Sequence, residues 1–276
     1  MKPQVFTRDK TIDVGPTQTY IAEAGDGPPI LLLHGNPDTH LVWSDVVSSL
    51  AASHRCIAPD LPGFGQSRAP ADFDCSLENM SRHVAGVLDG LNLSRAHMVA
   101  HDVGSTYGLA FATTHPERLL SLTILNGNFF PDYQWHFWAR LWRRRGVGEL
   151  VMAVANRRLF VSEMRKGSPG VTREYAERAY ADYGRDTRRM VLRWYRAMGP
   201  EVLRGWDERF LRDCAGVPKQ VLWGDLDPYV PSSTADRYGV EARHYPDCGH
   251  WLMLDRPDEV ATHIANHVDA HPAPSA

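Results

Sequence analysis

Between residues 28 and 127 short apolar runs that stop at glycine alternate with segments of helical spacing. No other feature of the chain constrains its fold as tightly. PPILLLHG (28–35) is too short for a helix and reads as a strand buried on both faces. VWSDVVSSLAASH (42–54) spaces its apolar residues as a helix does, and HRCIAPDLPGFG returns to a strand and a Pro/Gly turn. SLENMSRHVAGVLDGLNL is helical behind Ser76, with Asn79 three residues on and Glu78 one place early for a capping box. RAHMVAHDVG is a strand and tight turn, STYGLAFATTHPE a helix, and RLLSLTILNG a strand. Such alternation builds a parallel sheet with helices on both faces.

The pattern resumes with a strand at KQVLWGD (219–225). A helix near 232–238, the strand ARHYP and a final helix at PDEVATHIANHV follow. At the start, VFTRDKTIDV and QTYIAEAG are expected to pair as a hairpin. Between 128 and 215 strand signals vanish, and Trp, Arg and helix formers dominate. The expected architecture is α/β, a mostly parallel sheet flanked by helices (1–127 and 216–276) with an inserted helical cap (128–215). A chain of 276 residues, 43% of them hydrophobic, can bury such a core. The tail HPAPSA reads as a disordered end.

The formal charge of −3 gives no reason to expect nucleic acid or a membrane as partner. Arg140, Arg143, Arg144, Arg145, Arg157 and Arg158 form a local excess, read as a solvated helix face or a substrate-attracting rim. Cys56, Cys75, Cys214 and Cys248 fit neither a zinc site nor a disulfide framework, so free thiols are expected. No apolar run reaches spanning length, and MKPQVFTRDK lacks a signal-peptide core. A cytoplasmic protein without metal or cofactor is the expectation.

The segment Met98-Val99-Ala100-His101-Asp102-Val103-Gly104-Ser105 sets an acid at a sharp turn from strand to helix. The nucleophile elbow has the pattern G-x-S-x-G, and here Ala100, Asp102 and Gly104 stand at its three fixed places. A carboxylate at a helix start is stabilised as an anion and attacks carbon without a base to activate it. Asp102 as a helix cap is the structural alternative. Ser105, three residues on, is off the tip.

His34-Gly35-Asn36-Pro37 follows the first buried strand, where an oxyanion loop belongs. The two backbone donors would come from Asn36 and Val103. Trp223-Gly224-Asp225-Leu226-Asp227-Pro228 ends a later strand and offers Asp227, with Asp225 as competitor, for the acid. Asp247-Cys248-Gly249-His250-Trp251 supplies the histidine. Nucleophile, acid, histidine is the hydrolase chain order.

With HGNP, DLPGFGQS (60–67), HDVG (101–104), WGDLDP and DCGHW, the chain resembles the epoxide hydrolase and haloalkane dehalogenase branch of the α/β-hydrolase fold over nearly its whole length. The resemblance implies an alkyl ester at Asp102, hydrolysed by water that His250, oriented by Asp227, activates. The HGNP start is similar to dehalogenases. These usually carry Trp after the nucleophile, however, where this chain has Val103, and the arginines of fluoroacetate dehalogenases are absent from 103–106. Trp194-Tyr195-Arg196 is similar to the second ring-opening tyrosine motif of epoxide hydrolases. For the first donor, Tyr133 in Asp132-Tyr133-Gln134 and His136 in Trp135-His136-Phe137 both fit. His34, Trp135, Phe137, Trp138 and Trp251 are candidate substrate contacts, with Trp142 and Phe160 as further wall residues.

The leading expectation is an epoxide hydrolase giving a vicinal diol from a small, largely apolar substrate and water. A haloalkane dehalogenase-like hydrolase is the alternative. A non-catalytic binding module is a third reading, and it would have no need of a full acid–base set.

Overall fold

A computed structural model describes residues 5–273. The last three residues of the HPAPSA tail lie outside the described residues, so its expected disorder is not addressed. The first half holds β1 (Arg8–Val14), β2 (Thr17–Ala24), β3 (Pro29–Leu33), α1 (Ser44–Leu50), β4 (Arg55–Pro59), α2 (Leu77–Gly90), β5 (Ala96–His101), α3 (Val103–Thr114) and β6 (Leu119–Leu125). Seven helices follow: α4 (Phe137–Trp142), α5 (Val147–Val154), α6 (Arg157–Gly167), α7 (Arg173–Asp182), α8 (Arg185–Ala197), α9 (Pro200–Leu203) and α10 (Trp206–Asp213). β7 (Lys219–Gly224), β8 (Ala242–Tyr245), α11 (Leu252–Asp255) and α12 (Pro257–Asp269) complete the chain. The segment expected to be helical near 232–238 is a 3-10 helix, Ser232–Arg237, rather than an α-helix.

The eight strands form one sheet in the order β1-β2-β4-β3-β5-β6-β7-β8. β1 and β2 pair antiparallel as the expected hairpin, and β2 runs antiparallel to β4. From β4 through β8 every pairing is parallel. β5 and β6 are buried at every residue, which is why their sequences run apolar without alternation. One apolar layer packs α2, α3 and α10 on one face, and the other packs α1, α11 and α12 on the opposite face. Within 128–215, α10 lies against α3 beside the sheet, while α4–α9 stand over the carboxyl ends of the strands.

Candidate active site

Open parallel sheets place ligands beyond the carboxyl ends of their strands. Here β3, β5, β6 and β7 end below the cap, and each hands a polar residue to that edge.

At the end of β5, Asp102 adopts φ 48° and ψ −118°, a conformation disfavoured for a residue with a side chain. It is held by close packing. A Cβ on Gly104 would lie 2.5 Å from the carbonyl oxygens of His34 and Leu33, and one on Gly35 would lie 2.5 Å from the Asp102 Cβ. Both glycines are therefore required by contact. The Asn36 N–H donates to Asp102 Oδ2 at 2.8 Å, and the Val103 N–H also supports the carboxylate. Burial nonetheless raises the Asp102 pKa, with His250 and these N–H donors opposing the rise.

His250 follows β8 and lies 2% exposed. Its Nδ1 meets Asp227 Oδ2 at 2.7 Å, and its Nε2 lies 4.0 Å from Asp102 Oδ2. Burial alone would lower its pKa, but Asp227, Asp102 and Asp38 outweigh it and raise the value to about 9. Asp227 in turn accepts the Tyr229 and Val230 N–H groups at Oδ1 and the Asn126 amide at Oδ2. Asp225, the competitor, faces the surface and pairs with His244 at 2.6 Å. The fold therefore brings Asp102, His250 and Asp227 together and sends Asp225 elsewhere.

A cavity of about 130 Å³ lies between these groups and the cap, with Asn36, Asp102, Tyr133, Trp135, His136, Trp138, Tyr195, His250 and Trp251 in its wall. His136 and Tyr195 stand edge-to-face with ring centroids 5.9 Å apart. Burial lowers the His136 pKa to about 4, so its ring is neutral at pH 7. Its Nδ1 caps α4 by accepting the Ala139 N–H, which leaves the ring proton on Nε2. Burial, then Asp102 and Tyr133, raise the Tyr195 pKa well above its usual range, so the phenol keeps its proton. Tyr133 is placed differently: its hydroxyl donates to the Tyr229 carbonyl at 2.7 Å. The indole N–H groups of Trp135 and Trp194, both in the cavity wall, have no partner among the described residues. Arg143 lies over the Trp135 ring and donates to the carbonyls of Tyr195 and Met198, tying α4 to the end of α8.

Two expected substrate contacts need correction. His34 is fully buried behind the wall, its Nε2 accepting the Leu61 N–H and its Nδ1 facing the Gly35 carbonyl. It braces the loop. Phe137 is 57% exposed on the outer side of α4, one residue past the inward-facing His136. Sequence reasoning passed over three supports. Asp38, 2% exposed, accepts from Trp251 Nε1 at 2.7 Å and from Tyr175 of the cap at 2.5 Å; burial raises its pKa to about 6. His101 Nε2 meets the His250 carbonyl at 2.9 Å. Asn126, at φ 39°, links β7 to Asp227. The Asp after HGNP and the His before Asp102 were visible neighbours of quoted motifs; Asn126 carried no signal.

No group of three or more His, Cys, Asp or Glu among the described residues is arranged to hold a metal ion, and none of their helices is long and apolar enough to cross a membrane. The α/β-hydrolase fold family model matches residues 28–257. A cis-3-alkyl-4-alkyloxetan-2-one decarboxylase of Shewanella oneidensis is 31% identical, covering 89% of this chain and 83% of its own. A haloalkane dehalogenase of Mesorhizobium japonicum is 28% identical over 91% of this chain and 87% of its own. The structure of a laboratory-evolved variant of potato epoxide hydrolase superimposes with a TM-score of 0.79 at 18% identity, covering 95% of this chain and 99% of that one. The chain belongs to the α/β-hydrolase fold family, with haloalkane dehalogenases among its relatives and epoxide hydrolases among its fold neighbours.

Proposed function

We propose that the protein is an epoxide hydrolase that forms an alkyl–enzyme ester at Asp102 and releases a vicinal diol. One observation carries this reading: two neutral proton donors, His136 and Tyr195, stand side by side on the cap wall of the cavity that holds Asp102. An epoxide carbon attacked by a carboxylate releases an alkoxide, which needs a proton as the C–O bond breaks. The Tyr195 hydroxyl and the His136 Nε2–H supply hydrogen bonds there, and one of them gives the proton. The Tyr133 hydroxyl is engaged by the Tyr229 carbonyl, so the first donor role falls to His136.

Esterification removes the negative charge of Asp102. One of the charges that hold His250 at about 9 is then gone, and its pKa falls. The resting proton of His250 then passes to the cap donor that protonated the alkoxide, so the ring is neutral at the moment a base is required. His250 takes a proton from water, Asp227 stabilises the imidazolium, and the hydroxide attacks the ester carbonyl. The N–H groups of Asn36 and Val103 hold the oxyanion. The intermediate collapses, its hydroxyl proton passes to the departing oxygen, and the diol leaves with one former Asp102 oxygen, while His250 keeps the water proton and is charged again as in the resting enzyme.

A dehalogenase reading rests on a different observation. A relative 28% identical over 91% of this chain is a haloalkane dehalogenase. Both readings share the ester, so one experiment separates them. His250→Gln protein is incubated with a panel of epoxides, haloalkanes and a 3,4-dialkyl oxetan-2-one, then digested and weighed. An adduct with the full epoxide mass on the Asp102 peptide, with diol from the wild type, is expected. An adduct that has lost halogen supports dehalogenation instead. Carbon dioxide from the oxetanone with no diol from any epoxide would overturn the epoxide reading. Absence of any adduct or product across the panel would overturn both.

A further inference from the structure

Seven large apolar side chains are exposed among the described residues, and five lie between 137 and 159: Phe137, Val147, Leu150, Val154 and Leu159. Leu150 and Val154 are 63% and 60% exposed. Scattered exposed leucines are ordinary, but a cluster on one part of the surface marks a partner. On α5 the spacing 147, 150, 154 puts three of the five on one helix face. Exposed arginines accompany them at Arg140, Arg144, Arg145, Arg157 and Arg158. Among the described residues, Arg157 alone of these five has a carboxylate within 4 Å, that of Glu177 at 3.8 Å.

The charge of the chain is divided by region. Residues 128–215 hold eighteen Lys and Arg against eleven Asp and Glu; the rest holds twelve against twenty-two. The formal −3, which gave no reason to expect a membrane partner, averages a basic cap with an acidic core. The helices that carry the exposed apolar residues also wall the cavity, through Trp138 of α4, Val151 of α5 and Leu159 and Phe160 of α6.

We propose that this face of the cap docks on an anionic lipid bilayer surface. Val147, Leu150 and Val154 enter the boundary between headgroups and acyl chains, and the arginines meet the lipid phosphates. Apolar residues flanked by arginine suit a segment that lies in the interface without spanning the bilayer. A second copy is a poor occupant, because a twofold contact would set arginines against arginines. The acidic core is repelled by the same surface, which turns the cap toward it. The inference does not depend on the leaving group.

The test is co-sedimentation of the full chain with vesicles of phosphatidylcholine alone or mixed with phosphatidylglycerol. Binding to the mixed vesicles, weakening as salt rises, is expected. Arg157→Gln with Arg158→Gln should lower the partition coefficient roughly 30-fold. Leu150→Glu with Val154→Glu should bring it to the phosphatidylcholine level with an unchanged thermal melt. Should the glutamate pair fail to fold, the glutamine pair decides alone. No binding to anionic vesicles, or binding that the folded variants leave intact, overturns the proposal. So does a dimer in sedimentation velocity that the glutamate pair dissolves, since the face then belongs to a second copy.

Discussion

The two walls of the cavity are built by different means. On the sheet side, the polar atoms of Asp102, Asp227 and His250 are gripped by backbone N–H groups or by other buried polar groups at strand ends. On the cap side, Trp135, His136, Trp142, Trp194 and Tyr195 pack edge to edge, and two indole N–H groups are left without partners. The first wall tolerates little change, because moving one strand end moves several hydrogen bonds together. The second is a cluster of large side chains on short helices, in which one substitution alters what is offered to a leaving group while the sheet stays intact. On the proposed function, ester chemistry belongs to the rigid wall and leaving-group choice to the adaptable one.

That division is most exposed to test at Asp102. Asp102→Ala should lower turnover on the order of 10⁴-fold or more, measured in steady state. It should not lower the thermal melt, because the carboxylate is kept at a desolvation cost. Retained turnover would remove the nucleophile from the sheet wall. On the cap wall, Tyr195→Phe should slow ester formation about 10²–10⁴-fold in single-turnover quench experiments while leaving ester hydrolysis near its wild-type rate. An equal slowing of both steps would show that the two walls do not divide the reaction.

The pH dependence sharpens the same contrast. His250, raised to about 9, is charged in the resting enzyme at neutral pH and must be neutral to accept the proton of water. Hydrolysis should therefore fall about tenfold for each pH unit below the working pKa of His250 in the ester. Ester formation needs ionised Asp102 and a protonated cap donor, which acid does not remove, so it should persist to lower pH and the adduct accumulates on acidification. Mass spectrometry of rapidly quenched wild type reads this directly; equal acid limbs for both steps would contradict it. The smallest effect is expected for Tyr133→Phe. Losing its bond to the Tyr229 carbonyl should cost about 0.5–1.5 kcal/mol in denaturant melts, with single-turnover ester formation changed less than about tenfold.

The sheet was legible because a strand buried on both faces writes itself as an unbroken apolar run, as in LLSLTIL of β6. Asp102 and His250 were legible because each sits in a tight turn with glycine neighbours whose positions contact dictates. The cap resisted. Tyr133 and His136 lie three residues apart, and the sequence cannot say that one hydroxyl turns back to Tyr229 while the neighbouring ring enters the cavity. Phe137 looked like its inward neighbours, since aromatic character does not report which face of α4 is covered. Asp225 and Asp227 are two residues apart on a strand end, and the choice depends on where β8 and His244 arrive from far along the chain. Asn126 was invisible because its function is to hold β7 against Asp227, a relation between segments about a hundred residues apart.

The four cysteines have a consequence beyond packing. All are buried and free, and burial lifts each thiol to about 12, so thiolate is scarce at neutral pH. Epoxides and haloalkanes are alkylating agents that consume exposed thiolates irreversibly. On the proposed function, a protein that concentrates such reagents in an apolar cavity runs the hazard of poisoning itself. Here Cys248, two residues before His250, is shielded like the others. The cavity instead offers Asp102, whose alkylation, on the proposed mechanism, water can undo.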